Sequence, residues 1–148
     1  MNADAPTMTV GCIYTGPDMK SHFKELRLPH ANKASSGLTY WTDQFPINGW
    51  RSAVLMPGRR DWHANPNPAI SILLSGHVET TLGNGVRRTS VVGGMGLSLD
   101  ALGQGHLTEV IGPAPAIALA MLLTREQLTQ LSKVLIGWPE DIVLPAVS

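Results

Sequence analysis

The stretch "AISILLSGHVETTLGNGVRRTSVVGGMGLSL", residues 69 to 99, decides the fold. Runs rich in Ile, Leu, Val and Thr flank Gly83, Asn84 and Gly85, residues that tolerate the positive φ a tight hairpin needs. Gly93 and Gly94 bend the chain again before Met95, because β-branched residues cannot supply those conformations. Working outward, short runs of the same kind recur between residues 49 and 123 at a spacing of roughly 8–12 residues, the pattern of an all-β sandwich or barrel. Strands are expected near 50–56, 69–75, 77–82, 86–92, 95–99, 106–111 and 115–123. Met56 to Gly58 and Asn65 to Pro68 read as turns, since proline removes backbone donors.

The flanks are of two kinds. Before residue 49 the chain is less regular, with strands expected at 8–14, 23–28 and 38–42. Beyond the β-region, "TREQLTQLSKVLIGWP" predicts a short C-terminal helix over about 124–136. Thr124 and Gln127 have capping-box spacing, and Leu128, Leu131, Val134 and Leu135 make one apolar stripe. Gly137 and Pro139 are read as its stop, and the stripe is expected to cover an end or flank of the β-body.

The 148 residues fit a single domain over 1–148, with 43% apolar residues, 15% charged residues and a formal net charge of +0. No overall field draws such a chain to nucleic acid or to an anionic membrane, so neither is an expected partner. The apolar run "AIALAMLL" is far shorter than the roughly 20 residues that span a bilayer. Cys12 is the sole cysteine and cannot form an intrachain disulfide. With no charged and apolar leader pattern at the N-terminus, a cytoplasmic location is expected. P-loop, GxSxG and CxxC patterns are missing, which removes the usual sequence signs of nucleotide, serine-nucleophile and dithiol chemistry.

From "MPGRRDWH" through "LDALGQGH" the chain resembles the cupin superfamily, small β-barrels of the jelly-roll type. Gly58 and His63 open the first cupin motif and Gly76 closes it, while Gly103 and His106 end the second. The likeness covers residues 50 to 123 and implies a cupin-type jelly-roll barrel with a helix appended. It also resembles small single-domain cupins with "WH" in the first motif and an aspartate, here Asp100, before a "GxGH" ending. Two positions depart from the pattern. The second histidine of the H-x-H pair is Asn65, and the glutamate is Ala69. Ala69 offers no donor atom and a neutral amide is a poor ligand for a transition metal, so no cofactor is favoured. A divalent transition metal would have to use His63, His106 and Asp100, in the manner of two-histidine, one-carboxylate iron sites.

The resemblance implies that His63 points into the barrel, where an imidazole suits proton transfer near neutral pH. His106 stands similarly, and Asp100 either fixes its tautomer by a hydrogen bond or caps a turn. Ser71 and Leu73 share the inward parity of Ala69 and are expected to contact substrate. Asn65 is expected to polarise a carbonyl, and Trp62, Tyr40 and Trp41 to floor the cavity against a planar substrate. His77 and Glu79 read as a solvent-side row, and Arg59 and Arg87 as solvated strand ends. The expected function is an enzyme of the isomerase, cyclase or dehydratase-type lyase class. It would work by general acid-base chemistry with His63, His106 and Asp100 on a small, largely apolar organic substrate. The alternatives are a metal-dependent cupin oxygenase and a non-catalytic ligand-binding cupin. A homodimer is expected, as in cupin relatives that pair through sheet edges.

Overall fold

The computed structural model describes residues 5–146. In chain order the strands are β1 (Thr7–Thr15), β2 (Ser21–Pro29), β3 (Asn32–Lys33), β4 (Tyr40–Trp41), β5 (Trp50–Leu55) and β6 (Gly58–His63). They continue with β7 (Ala69–Ser75), β8 (Val78–Thr81), β9 (Arg87–Thr89), β10 (Met95–Leu99), β11 (His106–Val110) and β12 (Ala116–Leu122), and helix α1 (Arg125–Ser132) follows. The fold is all-β with one short C-terminal helix. The helix is too short to cross a membrane.

The hairpin at Gly83–Gly85 organises everything around it. Leu82 N–H donates to Val86 O at 2.8 Å, Gly85 N–H donates to Leu82 O at 2.9 Å, and Gly85 sits at φ +88°. From that turn, antiparallel pairing zips outward: β8 with β9, β7 with β10, β6 with β11, and β5 with β12. Residues 50 to 122 therefore form one long ribbon folded back on itself, the winding of a jelly roll. Its members divide between a six-stranded sheet, β2-β1-β10-β7-β12-β5, and a four-stranded sheet, β6-β11-β8-β9. β1 lies parallel to β10 and antiparallel to β2, so the N-terminal strands widen the larger sheet.

The expected closed barrel is corrected in one respect: no ladder joins the two sheets, and the body is an open two-sheet sandwich. The corners explain this. Pro57 and the Asn65–Pro68 run cannot carry a continuous ladder, and Gly76, at φ +99°, turns so close to Ala116 that a Cβ would lie 2.6 Å from its Cα. Other differences are local. β6 occupies a segment to which the pattern assigns no strand, because Gly-Arg-Arg-Asp-Trp-His has no apolar alternation to reveal it. β9 shrinks to three residues, and the strand expected at 38–42 is the two-residue β4, paired with β3.

The main apolar core lies on the outer face of the larger sheet rather than between the sheets. Val10, Cys12, Leu26, Ile70, Leu97 and Leu99 present that face, and Leu128, Leu131 and Leu135 cover it. Each such leucine contributes about 1.5–3 kcal/mol by leaving water. Thr124 caps α1 as expected, its hydroxyl accepting from Gln127 N–H at 3.2 Å while Gln127 reaches back at 2.9 Å. The helix ends at Ser132, earlier than expected, because the chain at Ile136 turns to pair with Arg27 through two backbone hydrogen bonds of 2.8 and 3.0 Å. Between the sheets, Leu73, Val78, Val110 and Ala116 with Leu55 close one end.

Candidate functional site

The rest of the space between the sheets is hollow, and side-chain size is the reason. Along one row of the larger sheet, successive pairings run Arg51, Ala120, Ser71, Gly96, Gly11 and Glu25. Four small residues in the middle of that row leave the floor bare. The result is a cavity of about 620 Å³, which the smaller sheet roofs with His106, Thr108, Thr80 and Val78. Charge is confined to the two ends of the row and to Arg88.

His106 opens β11 and is buried at the cavity wall. Its Nδ1 is bonded to Oδ2 of Asp100, which is fully buried just past the end of β10. The other carboxylate oxygen accepts from Ser98 Oγ at 3.2 Å, and Ser98 Oγ accepts from Asn65 Nδ2 at 2.6 Å. Asn65 N–H in turn donates to the Asp100 carbonyl at 3.0 Å. Every buried side-chain polar atom among the described residues has a partner, so this network is satisfied rather than strained. With Nδ1 engaged by the carboxylate, Nε2 is the nitrogen left for chemistry. The Asp100 charge reaches behind the sheet as well. Burial first, and then Asp100, push the Cys12 thiol up to about 12.

His63 pairs directly with His106 across the β6–β11 ladder, and the rings meet edge to face with centroids 4.6 Å apart. A bulge makes this possible. Arg60 pairs with Thr108 and His63 with His106, so β6 spends one extra residue and re-aims His63 toward its partner. The ring is nevertheless exposed, its Nδ1 bonded to Asp61 O at 2.8 Å, and it does not line the cavity. This departs from the inward placement implied by the resemblance: His63 stands at the rim, on the solvent side of His106.

The remaining expected residues separate cleanly. Asn65, Ser71 and Leu73 line the cavity. Trp62 does not, being half-buried within the bulged segment of β6. Tyr40 and Trp41 lie on the β3–β4 ribbon, away from the cavity, where Tyr40 meets Lys33 Nζ and Trp41 is exposed. Glu79 binds Arg87 at 2.6 Å on the outer face, as a solvent-side row requires.

A metal is a poor fit to this constellation. Asn65 directs its amide nitrogen at Ser98, Ala69 has no donor, and Asp100 sits behind His106 on Nδ1 rather than beside Nε2. Among the described residues no group of three His, Cys, Asp or Glu side chains is disposed to hold an ion.

Several lining residues escaped the sequence reading. Thr108 shares the parity of His106, so that hydroxyl was within reach of the alternation rule. Thr80 pairs with Thr108 and follows from it. Gly11 and Gly96 inside strands are the usual sign that something approaches the backbone closely. Arg88 carried no local signal, because an Arg-Arg pair at a strand end reads as solvated whichever member turns inward.

No known family model matches the chain, and no curated protein matches it. Among solved structures, the chain is similar to protein NMB1881 from Neisseria meningitidis at 15% sequence identity and a TM-score of 0.40. The match covers 57% of this chain and 89% of that one.

Proposed function

We propose that this protein is a cupin-type enzyme that holds a small, largely apolar organic molecule between its sheets and moves protons on it. The reaction class is isomerase, cyclase or dehydratase-type lyase. One observation carries the reading: a buried His106–Asp100 pair at the wall of a cavity whose floor is made of small residues and whose roof carries hydroxyls, with Glu25, Arg51 and Arg88 at its edges. The cupin reading is further supported by the folded ribbon of β5 to β12, with Gly58, Gly76, Gly103 and His106 at its corners.

On this reading Asp100 fixes the tautomer of His106 and orients its ring. Nε2 of His106 removes a proton from a carbon or oxygen of the substrate and returns it elsewhere. Ser71, Thr80 and Thr108 hold the substrate's polar atoms, and the exposed His63 beside His106 exchanges the proton with solvent. General acid-base catalysis of this type contributes about 10²–10⁴ in rate. The oxygenase alternative has less support, because the donor set lacks a third ligand beside the two histidines.

The test is proton exchange in D2O. Chelator-treated protein is incubated with small cyclic and aryl ketones, and loss of the signal of C–H groups next to the carbonyl is followed by NMR. Exchange above the buffer rate, reduced about 10²–10⁴-fold by His106→Ala, is expected. Exchange that persists in His106→Ala, or that needs added iron, would count against the proposal, as would binding in the cavity without any exchange. The free edge of β5, where Trp50 and Val54 are exposed, supports the expected homodimer. A monomer in sedimentation at micromolar concentration is the contrary result.

A further inference from the structure

We infer that the molecule bound between the sheets carries a carboxylate, and that Arg88 receives it at the gap between β2 and β9. This rests on the proposed function and adds the substrate class to it. β2 is one edge of the larger sheet and β9 one edge of the smaller, and no ladder joins them. Near the hairpin the gap is tied by Gly83 N–H donating to Ser21 Oγ at 2.7 Å. Farther along, Phe23 from β2 and Arg88 from β9 meet across it, with the guanidinium carbon 3.4 Å from the ring centroid. Gly11 lets the ring lie flat there, since a Cβ at that position would come within 3.0 Å of Phe23 Cε2.

Stacking on an aromatic face immobilises a guanidinium without using its N–H groups, which lie in its plane. Arg88 makes no hydrogen bond or ion pair among the described residues, whereas its neighbour Arg87 is paired with Glu79 at 2.6 Å. The chain thus holds a planar donor array at the edge of the cavity with those donors uncommitted, and a carboxylate is the group such a fork matches with two parallel bonds. The charge balance agrees: Arg51 and Arg88 line the cavity against the single carboxylate of Glu25, apart from the His106–Asp100 pair behind the wall.

Register gives the scale. Arg88 pairs with Thr80, Thr80 with Thr108, and His106 lies two residues from Thr108 on the same face. Strand spacing then puts the Cα atoms of Arg88 and His106 roughly 12 Å apart, with both side chains projecting into the space between. A carboxylate held by Arg88 leaves room for one ring or a short chain before His106 Nε2, with Thr80 and Thr108 hydroxyls along the way. The substrate class is a small monocarboxylic acid with an apolar body.

The test uses benzoate and its neutral counterpart benzamide, titrated at pH 7 into the full chain and followed by two-dimensional NMR. Benzoate is expected to shift the signals of Thr80, Thr108 and His106 and to bind at least tenfold more tightly than benzamide. Arg88→Met is expected to weaken benzoate about tenfold or more and leave benzamide unchanged. Arg88→Lys, which keeps the charge and loses the fork, should fall between. Equal benzoate affinity in wild type and Arg88→Met overturns the inference. So does benzamide binding as tightly as benzoate, or no response to millimolar benzoate in dispersed, folded spectra. His106→Ala separates the two proposals: it abolishes exchange under the catalytic reading while benzoate still binds at Arg88.

Discussion

Gly105 shows how much of the site depends on a single residue without a side chain. It sits at φ +74°, and a Cβ there would collide with the carbonyl of His63, the residue whose ring rests on His106. Gly105→Ala is expected to cost about 2–3 kcal/mol in urea unfolding and to split the two imidazole environments in NMR spectra. Asp100→Ala removes the partner of a buried imidazole and of Ser98, and a loss of about 1–3 kcal/mol is expected by the same unfolding measurement. The Asp100–His106 contact was one of two readings the sequence left open, the other being a turn-capping aspartate, and the structure shows the contact. The exposure of His63 was not legible in the sequence. It depends on a bulge that inserts one residue into β6, and bulges leave no mark in an alternation pattern that is absent to begin with.

At the scale of elements, what could be read depended on whether the cause was local. The hairpin at Gly83–Gly85 and the cap at Thr124 rest on residues within four positions of each other, and both stand where expected. Thr124→Ala should lower stability by about 1 kcal/mol, read as a shift in the midpoint of thermal unfolding. The helix end was misjudged because its cause is remote: Arg27, 109 positions earlier in the chain, takes the backbone of Ile136. The inner faces of β7, β10 and β12 make a subtler case. Their small residues lie within strands that the pattern already marks, yet only in register do they form one bare row. Ala120→Leu fills part of that row with apolar volume. It should leave thermal stability unchanged or raised by about 1 kcal/mol while abolishing the NMR response to benzoate. A loss of stability with binding intact would show that the hollow is not where the ligand sits.

For the whole molecule, this arrangement separates the part that holds the fold from the part that holds a ligand. The leucine-rich core lies outside the larger sheet under α1, and the cavity lies inside it, so the two faces of one sheet serve different ends. Sequence pattern showed most of the strands, β6 excepted, but not this division, since deciding which face of a two-sided strand meets the helix requires the register of all six strands. Cys12 reports on the outer face and offers a test that involves no ligand. Its thiol ionises near 9 in an open chain and is pushed up to about 12 by burial against the core, with the Asp100 charge adding to the effect. Below pH 9 the thiol is neutral in both states and its contribution is fully present. As pH rises from 9 toward 12, the unfolded chain gives up the proton and the folded chain keeps it, so stability falls by roughly 1.4 kcal/mol per pH step. Other groups titrate in the same window, and comparison with Cys12→Ala removes them. Urea unfolding at pH 8, 9, 10 and 11 should show wild type losing stability more steeply than Cys12→Ala, by one proton's slope, only above pH 9. Parallel curves for the two proteins would mean that the outer face admits water to the thiol, and that the sheet is not sealed by the helix in the way its leucines imply.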